Sequence, residues 1–255
     1  MDFIDAVKDL ASAAGLDMPE PSRVQMAQSL AIEGIHDALL RAADWYAAEL
    51  KATPAAQSIL RDRGVSAASI EKFGIGAAPS RRSVSACGVP VQLLERGGLL
   101  IQGDDGLYDR FRGRIMIPVH DARGRVVGFG GRATNDRQDA KYMNSPSADH
   151  FDKGRLLFNL HRAAPASREA RRLVLVEGYF DVVALDAIGI GEVVAPMGTA
   201  LTVEQIARAW RLAYDPILLF DGDAAGRKAA VRACETALPG VGVGGTLSVS
   251  YTHLT

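Results

Sequence analysis

Leu173-Val174-Leu175-Val176-Glu177-Gly178-Tyr179-Phe180-Asp181 is a continuous apolar run that ends on a glutamate and a glycine, and Ile217-Leu218-Leu219-Phe220-Asp221-Gly222-Asp223 repeats the pattern with an Asp-x-Asp. Between them Val193-Val194-Ala195-Pro196 is a further apolar run. Helical patterns fill the gaps, from Phe180 to Ile188, from a Thr202 cap to about Leu212, and from about Ala224 to Leu238. Strands apolar on both faces that alternate with helices predict a parallel sheet covered on each side. From Arg172 onward the chain therefore reads as a small doubly wound α/β domain.

In such a sheet the strands end at one edge, where ligands bind. Glu177, Asp221 and Asp223 are expected to converge there although they lie far apart in sequence. Carboxylates crowded together repel one another and either take up protons or hold a cation. An oxygen-only ligand set favours Mg²⁺ or Mn²⁺ over zinc. Such ions bridge phosphate oxygens and steady a displacement at phosphorus. Gly178 and Gly222 leave room for a phosphate group to approach the backbone. The bland alternative is that Asp-x-Asp forms a turn or a helix cap. Asp181 has two readings of its own: it orients a metal-bound water or a basic neighbour, or it sits in a helix first turn where negative charge is favoured.

Upstream the grammar differs. Val24, Met26, Leu30, Ile32, Ile35, Leu39, Leu40, Trp45 and Leu50 recur at helical spacing and predict a long amphipathic helix over Arg23 to Lys51. Thr53-Pro54 supplies an N-cap and first-turn proline for a helix to about Arg63, and Ser66 caps a third through Phe73. Ile115-Met116-Ile117-Pro118-Val119 and Val126-Val127-Gly128-Phe129 are β-prone runs joined by His120 to Arg125, whose Arg-Gly pair suits a hairpin. This middle region reads as mixed α and β with antiparallel strands. Residues 135–152 are polar and aperiodic, which predicts an ordered functional loop or a mobile one.

At 255 residues, 48% apolar and 23% charged, the chain has the composition of a folded globular protein and length for one large or two modest domains. It contains nothing near the roughly 18 consecutive apolar residues of a membrane span, and Met1-Asp2-Phe3-Ile4-Asp5 lacks a basic segment leading into an apolar one, so a cytoplasmic location is expected. Cys87 and Cys234 offer neither a disulfide framework nor a zinc ribbon. The net charge of −1 hides an asymmetry, because residues 1–60 hold four Lys/Arg against nine Asp/Glu while residues 107–172 hold fourteen against seven. The middle of the chain thus either faces something anionic or carries a solvated arginine surplus.

The segments Val176 to Val182, Ala195-Pro196-Met197-Gly198-Thr199-Ala200-Leu201-Thr202 and Leu219 to Gly226 resemble the toprim domain of bacterial DnaG-type DNA primases. Toprim domains also occur in topoisomerases and some nucleases, so these motifs leave the reaction open. Tyr108-Asp109-Arg110-Phe111-Arg112-Gly113-Arg114-Ile115-Met116-Ile117-Pro118, Gly128-Phe129-Gly130-Gly131-Arg132 and Lys141-Tyr142-Met143-Asn144-Ser145-Pro146 are similar to the basic amino-terminal part of the primase RNA polymerase domain, and Arg63-Gly64-Val65-Ser66 through Phe73-Gly74-Ile75-Gly76 to the helical segment before it. The resemblance implies an enzyme of DNA replication, a DNA-directed RNA polymerase that makes short RNA primers by metal-dependent nucleotidyl transfer. It implies Glu177, Asp221 and Asp223 as catalytic metal ligands with Asp181 in support, and Mg²⁺ or Mn²⁺ as cofactor with no zinc. It implies that Arg63, Arg110, Arg112, Arg132, Lys141, Tyr142 and Asn144 line a groove for single-stranded DNA template and ribonucleoside triphosphates. Arginine forks and a lysine suit phosphates, and Tyr142 offers a face for an unpaired base. Asn144 reads equally as a contact to ribose or phosphate and as a turn residue before Ser145-Pro146.

The implied organisation is a basic polymerase subdomain over residues 1–166 and an incomplete toprim sheet over 167–239. The family's zinc-binding and helicase-binding domains are not expected in this chain, although the resemblance implies a replicative helicase as partner of the whole protein and no membrane. A further Asp-Pro-Asp-like acidic strand end has no counterpart. Residues 240–255 do not resemble toprim sequence and read as a non-native tail, and a sheet cut after its third strand is expected to leave an unpaired edge. Two other readings stand beside the primase: a toprim nuclease using the same ions, and an inactive fragment that binds single-stranded DNA.

Overall fold

The computed structural model describes residues 10–11, 13–14, 23–135, 140–198, 200–242 and 245–252. Readings that involve Met1 to Asp5, the side chains of Val24, Met26 and Leu30, or Thr199 lie outside the described residues. The chain divides into residues 1–34 and a compact unit of residues 35–255. Helix α1 spans Arg23–Leu50.

Within the larger unit, α1 buries Ile35, Leu39, Ala42, Tyr46 and Leu50, the three- and four-residue spacing expected of its apolar stripe, while Leu40 faces outward. Helices α2 (Pro54–Asp62) and α3 (Ala67–Phe73) follow. Ser66 caps α3 by accepting from the Ser69 amide at 3.0 Å. Thr53 occupies the N-cap of α2 but turns its hydroxyl back to donate to the Glu49 carbonyl at 2.9 Å, so the expected side-chain cap is absent.

Strand β1 (Gly76–Ala78), helix α4 (Val91–Arg96) and the hairpin β2 (Leu100–Gly103) with β3 (Gly106–Asp109) lead to β4 (Arg114–His120), β5 (Val126–Ala133) and β6 (Tyr142–Asn144). A four-stranded antiparallel sheet runs in the order β1-β4-β5-β6, with Ala77 opposite Ile115, Ile117 opposite Gly130, and Arg132 opposite Tyr142. In the β4–β5 turn, Asp121 accepts from the amides of Arg123 and Arg125, so a carboxylate closes the hairpin that the Arg-Gly pair announced. The polar stretch expected to be a loop contains β6, paired through backbone groups that composition does not register. Residues 136–139 of that stretch lie outside the described residues.

The second sheet comprises β7 (Leu157–Phe158), β8 (Val174–Leu175), β9 (Val193–Pro196), β10 (Ile217–Asp221) and β11 (Ser248–Thr252), interleaved with α5 (Leu160–Ala170), α6 (Tyr179–Ala187), α7 (Val203–Trp210) and α8 (Ala224–Ala237). Its order is β11-β10-β8-β9-β7, with β8 parallel to both β9 and β10. The doubly wound α/β expectation holds. Thr202 and Gln205 complete a reciprocal capping box at α7. The boundary read after residue 166 falls inside α5, a helix that Pro165 masks in the sequence. The unpaired edge expected beyond β10 is corrected: β11 pairs with it in parallel from Ile217 opposite Ser248 to Asp221 opposite Thr252. Val249, Tyr251 and Thr252 are β-prone, and the ladder satisfies donors and acceptors that an open edge would leave to water.

Both sheets share one core. Ile115, Ile117 and Val119 of β4 pack into the cluster that holds Val174, Val193 and Ala195, while Met116 faces Ile35, Leu39 and Tyr46 of α1. Leu175, Val194, Leu218 and Phe220 face the opposite side with Ile206 of α7 and Ala230 of α8. The helical segment is fastened to α6 by Phe73 in that shared core and by a Lys72–Asp186 ion pair at 2.7 Å. The exposed pair is worth at most about 1 kcal/mol, whereas burying one such aromatic side chain contributes about 2 kcal/mol or more, so apolar contact decides this junction. Among the described residues no helix is long and apolar enough to cross a membrane.

Two features make testable demands. The backbone of β1 lies directly on α1, so a Cβ at Gly76 would sit 2.6 Å from the Ala47 nitrogen. Gly76→Ala is expected to cost about 3 kcal/mol in chemical denaturation, and an unchanged midpoint would refute the close approach. The rings of His120 and His161 lie 4.6 Å apart; burial, then the charges of His161 and Arg162, lower His120, and burial, then Arg162, lowers His161, each from 6.5 to about 4. The unfolded chain protonates these imidazoles first, so their contribution is full above the unfolded value and is lost as pH falls through the window down to about 4. His161→Asn is expected to flatten the dependence of melting temperature on pH across that window, and a slope identical to that of the parent protein would refute the assignment.

Candidate active site

Strands β8, β9 and β10 point their C-terminal ends to one edge. The chain leaves β8 through α6 toward β9, then crosses to β10 on the other flank, so the crevice between β8 and β10 is a topological switch point. Glu177 follows β8 and Asp221 ends β10. The Asp221 amide donates to Glu177 Oε1 at 2.7 Å, so two of the three acids expected to converge are in contact. Gly226 makes this possible, because a Cβ there would press on the Asp221 carbonyl and lie 2.8 Å from Glu177 Oε1. That requirement was missed in the sequence, where Gly178 and Gly222 drew attention instead. Their amides are in fact engaged, Gly178 with Asp181 at 2.9 Å and Gly222 with the Thr252 carbonyl at 2.9 Å.

Asp223 plays the part that the bland reading allowed. It is the N-cap of α8, and its Oδ1 accepts from Gly226 at 2.7 Å. Asp181 likewise caps α6 through Gly178 while sensing Asp221, Glu177 and Arg63. Burial, then repulsion from Asp221 and Asp223, pushes the Glu177 carboxyl above its ordinary range against the pull of the Asp221 amide. Burial, then Asp221 and Glu177, does the same to Asp181 against the Gly178 amide and Arg63. Among the described residues no three His, Cys, Asp or Glu side chains close into a ligand set. The donor chemistry nonetheless fits a hard divalent cation: the acids offer oxygen only, and two of them carry a negative charge that their surroundings resist.

A cavity of about 890 Å³ opens at this edge, lined by Glu177, Asp181 and Asp221 together with Arg63, Tyr142 and Asn144. Arg63 lies over the Phe180 ring at 5.2 Å, which holds its guanidinium at the mouth of α6. Of the residues expected at the site, Arg110, Arg112, Arg132, Lys141 and Asp223 do not line this cavity. The reason is topological, since Arg110 and Arg112 flank the turn between β3 and β4 and Lys141 precedes β6. Arg112 lies over the exposed Tyr108 ring at 4.9 Å. The Nε atoms of Arg110 and Arg132 are buried with no hydrogen-bond partner among the described residues.

Asn144 uses its amide within the protein, accepting from the Tyr179 hydroxyl at 2.6 Å and donating to the Met197 carbonyl at 2.7 Å. Tyr179, Met197, Gly198 and Arg232 also line the cavity, and sequence reading gave none of them a role. The first three could have been found, because Tyr179 follows the acid at the end of β8 and Met197-Gly198 follow β9 at the same edge. Arg232, in the third turn of α8, gave no local signal.

The description "DNA primase catalytic core, N-terminal domain" matches residues 45–164, and "Toprim domain" matches residues 171–247. The DNA primase of Neisseria meningitidis serogroup A is 41% identical over 94% of this chain, and that of Escherichia coli K12 is 40% identical over the same share. The chain spans 42% and 43% of the length of those relatives. A solved DnaG primase catalytic domain bound to single-stranded DNA superimposes with a TM-score of 0.78 at 38% identity, covering 88% of this chain and 72% of that one. The RNA polymerase domain of Mycobacterium tuberculosis primase DnaG gives 0.77 at 33% identity, covering 86% and 76%. With identity at this level running through both sheets, and with two acidic strand ends in contact beside Arg63 and Tyr142, the chain belongs to the DnaG-type DNA primase family and lies within its catalytic core.

Proposed function

We propose that this chain is the catalytic part of a DNA primase, joining ribonucleotides into short RNA primers on a single-stranded DNA template in the cytoplasm. The observation that carries the reading is the Glu177–Asp221 contact at the β8/β10 crevice, facing Arg63 and Tyr142 across one cavity. Its likeness to a DnaG catalytic domain solved with single-stranded DNA supports the same template class.

In this reading a 3′-hydroxyl attacks the α-phosphate of a ribonucleoside triphosphate and pyrophosphate leaves. Glu177, Asp221 and Asp223 would hold Mg²⁺ or Mn²⁺, which when bound neutralises charge on the attacking and leaving oxygens. Arg63 offers a guanidinium fork to the triphosphate, held by the Phe180 ring and the charge of Asp181. Tyr142, 45% exposed, presents its ring to a base. Arg110, Arg112, Arg132 and Lys141 extend the basic surface beyond the cavity, where a template strand longer than one nucleotide would run.

Asp221→Asn keeps the backbone amide that serves Glu177 and removes one carboxylate. Primer synthesis from single-stranded DNA, NTPs and Mg²⁺ is expected to fall by at least about 100-fold with little change in melting temperature. Undiminished synthesis in this variant would sink the assignment, and DNA cleavage without NTPs would favour the nuclease reading. Salt-sensitive DNA binding without any synthesis by the parent protein would identify a binding fragment.

The raised carboxyls give a second test. Because Glu177 and Asp181 bind protons more tightly in the folded state, the ion-free protein loses their contribution as pH rises through the carboxylate range. Ions compete with those protons, so Mn²⁺ is expected to raise the melting temperature more at about pH 8 than at about pH 5. Glu177→Gln is expected to shrink that difference, and an ion effect independent of both pH and Glu177 would contradict it.

A further inference from the structure

The Asn144 amide joins three segments of the cavity wall. It ends β6, accepts from Tyr179 in the first turn of α6, and donates to Met197 just past β9. The Tyr179 ring is 7% exposed and stands edge-on to Phe158 at 4.8 Å. It also covers Gly130 of β5, where a Cβ would lie 2.5 Å from the ring. Three neighbours therefore fix the ring, and its hydroxyl donates to Asn144 at 2.6 Å in preference to the Met197 sulfur, a weaker acceptor at 3.8 Å. Burial holds that hydroxyl protonated, so it acts as a neutral donor.

Strand β6 needs such an anchor. It is three residues long, lies at a sheet edge, and pairs with β5 alone. Tyr142 at its start lines the same cavity as Glu177 and Asp181, which lie two residues either side of Tyr179 in sequence. The hydroxyl-to-amide contact is a direct polar link between the strand that presents Tyr142 and the turn that presents the acids.

We propose that Tyr179 and Asn144 form a clamp that sets the spacing between the Tyr142 ring and the carboxylates, and thereby the register of a bound nucleotide's base against its phosphates. The functional part of this inference rests on the primase reading; the clamp itself rests on the contacts alone. Asn144 is then a positioning residue, acting through β6 rather than on ribose or phosphate.

The test compares Tyr179→Phe, Asn144→Ala and the double variant by amide hydrogen exchange across Tyr142–Asn144 and by steady-state primer synthesis. Losing one hydrogen bond corresponds to about a fivefold effect, so Tyr179→Phe is expected to exchange about fivefold faster at β6, and Asn144→Ala, which also loses the bond to Met197, at least as much faster, with exchange in β4 unchanged. The KM for NTP in Tyr179→Phe is expected to rise about fivefold while kcat stays within about twofold, and the double variant is expected to match Asn144→Ala. Unchanged exchange at β6 in Tyr179→Phe, or effects of the singles that multiply in the double variant, would overturn the clamp. Altered exchange in a protein that makes no primer would leave the clamp standing and remove the primase reading.

Discussion

A carboxylate oxygen of Glu177 accepts the amide proton of Asp221 across the gap between two parallel strands. The bond is charge-assisted and half-buried, and it does two things at once. It fixes the separation of the strand ends, and it places two carboxylates where neither is fully solvated. The cost is visible in the displaced protonation of Glu177 and of its neighbour Asp181. A site that keeps negative charge under such pressure is prepared for a cation, and the neighbouring Arg63 only partly relieves it.

The strands that hold this contact are held firmly because β8 and β9 are buried on both faces and β10 buries Leu218 and Phe220 on one. Val174 and Val193 point to the core shared with β4, while Leu175, Val194 and Leu218 point to the core under α7 and α8. Strand β4 is similarly enclosed, with Ile115 and Ile117 toward the second sheet and Met116 toward α1. The basic sheet and the acidic strand ends thus belong to one packed body, and a one-residue slip in either sheet would turn its apolar set out of its core. Catalytic geometry that needs sub-ångström placement is best carried by elements of this kind.

Much of this was legible before any coordinate. Continuous apolar runs ending in Glu177 and Asp221 announced the parallel strands and the edge at which acids gather, because a strand buried on both faces has no other composition available. Ser66 and Thr202 marked their helices through capping chemistry that acts within four residues. The polar segment that contains β6 gave no such signal, since three exposed or half-exposed residues pair through backbone groups common to all side chains. Helix α5 was hidden by Pro165, and the pairing of β11 with β10 depends on an edge that exists only once the sheet has formed.

The sequence by itself determined which residues carry charge, which runs must be buried, and that acids follow two strands at one rim, since these follow from local composition and periodicity. Only the tertiary structure decided that Asp223 serves a helix cap, that Asn144 is spent on Tyr179 and Met197, and that Arg63 alone of the expected basic residues reaches the cavity. Each of those depends on distances between segments remote in the chain. Hydrogen bonds and Coulomb forces act across a few ångströms of space, and the spacing of letters does not encode that separation.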